Sequence, residues 1–78
     1  MTSLMINTDV LVFKTNLRLQ DDLKNIAAYI EAESRILLWN VDMEDRDLVL
    51  RVEANAIEAS EVIEIVKQAG YYCEELPD

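Results

Sequence analysis

Histidine is absent from this 78-residue chain, and cysteine, glycine and proline each occur once. Without imidazole the chain loses its usual proton shuttle at neutral pH and the nitrogen donor that borderline metals favour. A single cysteine, Cys73, excludes an internal disulfide, and nothing in cysteine usage points to an oxidising compartment. To act as a nucleophile that thiol would need a neighbouring base or cation, so a buried structural place on the last strand is expected of it. One Gly and one Pro imply dense secondary structure with short loops. Basic residues are scarce as well: 7 Lys and Arg face 16 Asp and Glu, for a net charge of -9. Such a chain repels phosphate backbones and anionic bilayers, which argues against nucleic-acid and membrane-surface partners. No stretch is long and uncharged enough to span a bilayer, and residues 1–9 have neither the basic start nor the apolar run of a secretory signal. A cytoplasmic location is the expectation.

Hydrophobic residues make up 51% of the chain, ample for one core near the lower size limit for an unstapled domain. Residues 1–9 carry weak pattern and are expected to form a flexible arm before a single domain over 10–78. Val10 to Leu17 opens β-branched and then alternates, with Leu11, Phe13, Thr15 and Leu17 on one face, as a strand does. Leu23, Ile26, Ala27 and Ile30 recur at helical spacing, with Asp21 and Asp22 at the dipole-favoured start. Arg35 to Val41 reads as a second strand, with Leu37, Trp39 and Val41 on one face and Ile36, Leu38 and Asn40 on the other. After an acidic turn over Asp42 to Asp47, Leu48, Leu50 and Val52 alternate through a third strand. A second helix is expected from about Ile57, or as early as Asn55, to Ala69, ending at Gly70. Tyr71 to Leu76 reads as a last strand. The order βαββαβ implies an α+β, ferredoxin-like fold: a four-stranded antiparallel sheet in order 4-1-3-2, with two helices on one face.

The stretch Val10-Leu11-Val12-Phe13-Lys14-Thr15-Asn16-Leu17-Arg18-Leu19-Gln20-Asp21-Asp22 resembles the opening of a heavy-metal-associated (HMA) domain. Trp39-Asn40-Val41-Asp42 resembles that family's second-strand ending, Leu48 to Glu53 its third strand, and Ala69-Gly70-Tyr71 the turn beside its metal loop. The resemblance implies a soft-metal site built on a C-x-x-C pair, and the two cysteine positions fall here on Leu19 and Asp22. Soft metals need thiolates. Leu19 has no donor atom and Asp22 offers only a hard oxygen, so loss of soft-metal binding is the expectation. An enzyme of this fold that cradles phosphate would need Gly residues and an Arg in that turn, where Asp21 and Asp22 would instead repel phosphate. Neither catalysis nor a cofactor is expected.

Two roles remain. The first is a protein-interaction or dimerisation module, binding itself or another protein through the sheet face opposite the helices. Strand parity assigns Val10, Val12, Ile36, Leu38, Val49 and Tyr72 to that face, with Lys14, Arg51, Glu53 and Glu74 among them. The second is a metal-ion carrier or sensor holding a hard divalent cation in an acidic cluster of Asp21, Asp22, Asp42, Glu44 and Asp45, with Asp47 nearby.

Overall fold

The computed structural model describes residues 8–77. Six elements follow in the order β1 (Asp9–Thr15), α1 (Gln20–Glu31), β2 (Ile36–Asp42), β3 (Val49–Ala54), α2 (Ala59–Gln68) and β4 (Cys73–Glu75). The four strands form one antiparallel sheet in order β2-β3-β1-β4. This is the ferredoxin-like arrangement expected from the sequence. Most of the arm expected over residues 1–9 lies outside the described residues, and Asp9 already belongs to β1.

Alternation places the core. Leu11 lies opposite Val52 and Phe13 opposite Leu50 across the β1–β3 ladder. Phe13, Leu50 and Val52 are buried, and they meet Ile26 and Ile30 of α1 and Val62 and Val66 of α2. Each apolar stripe recurs at the spacing its element demands, so one face of the sheet and one face of each helix close together. Cys73 is buried opposite Thr15.

β4, expected over Tyr71 to Leu76, forms only over Cys73–Glu75, and two further elements depart from the sequence reading. The ladder between β2 and β3 passes from Ile36↔Ala54 to Leu38↔Glu53, leaving Leu37 over as a bulge. The extra residue reverses parity before it. Ile36, which alternation assigns to the open face, therefore packs against the core, while Leu37 is 48% exposed. The second departure is the start of α2. Ala56 takes a positive φ of 53°, which breaks any helix before Ala59. The Glu58 N–H donates to the Glu61 carboxylate at 3.0 Å, half of a capping box. Ile57 is still buried, but from the loop, on the near side of the cap from Val62, where a hydrophobic staple sits. The end of α2 is as expected: Gly70 has φ +97°, its N–H reaches the Lys67 carbonyl at 2.9 Å and the Tyr71 N–H reaches the Val66 carbonyl at 3.2 Å. That pair of bonds is a Schellman motif.

Candidate functional site

At the end of the sheet where β1 runs into α1, three loops are tied together by polar side chains. Thr15, buried, donates its hydroxyl to the Leu48 carbonyl at 2.6 Å and accepts the Leu17 N–H at 3.2 Å. The Thr15 N–H also reaches the Asp47 carbonyl. These bonds clip the β2–β3 turn to the end of β1. On the other side, the Asn16 side-chain oxygen accepts the Tyr72 N–H at 3.0 Å. The segment after Gly70 is thus held against the β1–α1 turn by a side chain, and ladder pairing in β4 begins only at Cys73.

Leu19 and Asp22 stand at the start of α1 in these surroundings. Leu19 is the N-cap residue, has no side-chain acceptor, and is 61% exposed. Asp22 sits three residues on, and one of its oxygens accepts the N–H groups of Arg18 and Leu19 at 3.1 and 3.0 Å. Its other oxygen accepts the Tyr71 hydroxyl at 3.0 Å, while Asn25 donates to that hydroxyl at 2.9 Å. The Leu19 N–H holds the Asp22 carboxyl below its ordinary value; partial burial opposes it, and the Tyr71 hydroxyl and the Arg18 N–H and charge add to the lowering. Asp22 therefore caps the helix and clamps Tyr71 onto it. A soft-metal cargo does not fit this donor set, which consists of one hard carboxylate already engaged by three donors and one aliphatic chain.

The acidic cluster expected at this end is not assembled. Asp42 turns back on its own loop to accept the Glu44 N–H at 3.0 Å, and Asp45 likewise accepts the Asp47 N–H at 2.8 Å. Lys14 lies 3.9 Å from Asp47. Asp22 is committed to its cap. Among the described residues no group of three or more His, Cys, Asp or Glu is placed to hold a metal ion. Asx-type turns explain the divergence: each short carboxylate is drawn to its nearest backbone N–H.

On the open face, Val10, Leu38 and Tyr72 are exposed, and Val12 and Val49 are partly so. Arg51 sits between Asn40 and Val12 across the ladders. Tyr72 donates its hydroxyl to Glu74 beside it, which raises the phenol's pKa. Ile36 leaves this set for the core. Sequence reasoning missed Thr15, Asn16, Asn25 and the Tyr71 hydroxyl as the ties of the loop end. Only Asp22, an acidic residue at the third helical position, carried a local signal.

No family model matches the chain, and no curated protein does so. Solved structures do. The apo HMA domain of a copper chaperone for superoxide dismutase superposes with a TM-score of 0.76 at 16% identity, over 99% of this chain and 79% of that one. The N-terminal domain of PacS from Synechocystis gives 0.74 at 14% identity, over 88% and 98% of the two chains. The yeast copper transporter domain Ccc2a gives 0.73 at 17% identity, over 88% and 96%. At such identities the likeness is one of fold: this chain shares the ferredoxin-like architecture of these HMA domains.

Proposed function

We propose that this chain is a non-catalytic, cytoplasmic HMA-like domain whose first turn takes no soft metal and which acts by binding a protein, a second copy or another, through the open face of its sheet. The observation that carries this reading is Asp22. In a turn where the resemblance implies a thiolate, its carboxylate is spent on the Arg18 and Leu19 N–H groups and the Tyr71 hydroxyl. The first turn itself, Arg18 to Asp22, offers no soft donor to the copper named for the similar structures, and Cys73 is buried in the sheet, where burial pushes its thiol up to about 12. That shift also leaves the thiol protonated at neutral pH and a poor nucleophile. The surface that remains is Val10, Val12, Leu38, Val49 and Tyr72 interspersed with Lys14, Arg51, Glu53 and Glu74, an apolar patch among charges of both signs, as a partner-binding face with a polar rim has.

Two measurements test the reading. Competition with a Cu(I) chelator should leave the purified protein without copper; tight uptake of one equivalent by the monomer would sink it. Light scattering over a concentration series should show association for the wild type and a soluble, folded monomer for Val12→Asp.

A further inference from the structure

The two edges of the sheet differ in whether they can accept another strand. β4 is three residues long, carries Glu74 and Glu75, and is followed closely by Pro77. Shortness, charge and proline are the usual means of blunting an edge. Before Asp42, β2 has none of these three, and its bulge is the single device of this kind that it carries. It runs for seven residues, bears no charge from Ile36 to Val41, and among the described residues pairs with β3 alone. Its bulge turns Leu37 outward, and Leu38 is 62% exposed. With Ile30 and Glu31 of α1 and with Trp39, these residues line a groove along the outer side of the strand.

Charge decides what fits there. Glu31 lines the groove and is exposed, and the acidic turn of Asp42, Glu44 and Asp45 follows the far end of β2. At the near end Arg35 is already shared between Glu33 at 2.9 Å and Glu61 at 2.6 Å, so it offers little free positive charge. A second copy paired antiparallel would set its own acidic turn beside Glu31. Repulsion of that kind disfavours self-pairing at this edge. We infer that β2 receives, as a fifth strand, an extended segment of another protein that is apolar at alternate positions and basic at both ends. Backbone hydrogen bonds would supply affinity, the groove beside Leu37 and Trp39 would select the apolar side chains, and the flanking carboxylates would select the basic ends. The inference rests on the binding-module reading but shares only Leu38 with the open face, and Val12 lies two strands away on β1, so the two can fail separately.

The test is an NMR titration of the isotope-labelled full chain with the peptide Lys-Lys-Val-Thr-Val-Thr-Val-Lys-Lys. Amide signals of β2 and the Trp39 indole should move. Affinity should drop by about tenfold for Leu37→Lys, fall with added salt, and vanish for the same peptide with Glu at its ends. Val12→Asp, on the open face, should leave peptide binding unchanged. Absence of shifts at millimolar peptide would overturn the inference, as would equal binding of the acidic peptide. So would shifts abolished by Val12→Asp but not by Leu37→Lys, or β2 amides protected instead by concentration-dependent self-association.

Discussion

Asp22 shows how one residue can hold a loop in order through bonds to the backbone and to a distant side chain. Its carboxylate is held below the ordinary value of 3.8 chiefly by the Leu19 N–H. A carboxyl whose pKa is depressed on folding stabilises the fold at pH above its unfolded value and loses that contribution as pH falls through the folded one. Asp22→Asn should therefore lower the melting temperature most at neutral pH, with the gap to wild type closing below pH 3.8; thermal melts across an acid series would check it. The double substitution Leu19→Cys/Asp22→Cys should instead give one-equivalent Cu(I) uptake in chelator competition and a lower melting temperature without metal. Thr15 is the other pivotal residue. Thr15→Val leaves the Leu48 carbonyl and the Leu17 N–H without their partner, and should cost about 1–3 kcal/mol in urea unfolding.

The elements were legible in proportion to how local their determinants are. Periodicity marked the buried faces of both helices, and Gly70 marked the end of α2. A Cβ at Gly70 would meet nothing within 4 Å, so the cost of Gly70→Ala is conformational alone, about 1–2 kcal/mol, read as a fall in the urea midpoint at unchanged slope. The start of α2 was misplaced because Ile57 is apolar and lies near the helix, yet it reaches the core from beyond the cap. The faces of β2 were misassigned before Leu38 because alternation presumes an unbroken ladder. The bulge is a property of pairing with β3, and nothing within Ile36 to Asp42 announces it.

At the scale of the molecule, a small core and a large like charge oppose each other. Phe13 is fully buried where β1 meets both helices. Phe13→Ala should cost about 3–5 kcal/mol, comparable with a total stability of about 5 kcal/mol for a chain this small. The variant should thus be largely unfolded by near-ultraviolet circular dichroism. With a net charge of -9, self-repulsion should also make the melting temperature rise with added sodium chloride, as screening shortens the reach of each charge to ~10 Å at 0.1 M. Of the candidate sites, the absence of a thiol pair from the turn Arg18 to Asp22 was visible in the chain. The acidic cluster was an inference from topology that local turn bonding undid.

The sequence by itself determined the order of the elements, the stripes that close the core, and the lack of paired thiols on the first turn, because each depends on residue type at short spacing along the chain. Tertiary structure alone decided that Tyr71, 49 residues on, would take up the Asp22 carboxylate, that Ile36 would turn inward, and that β2 would be left as the open edge. Those outcomes depend on strand register and on hydrogen bonds between distant segments, for which no local pattern holds the information.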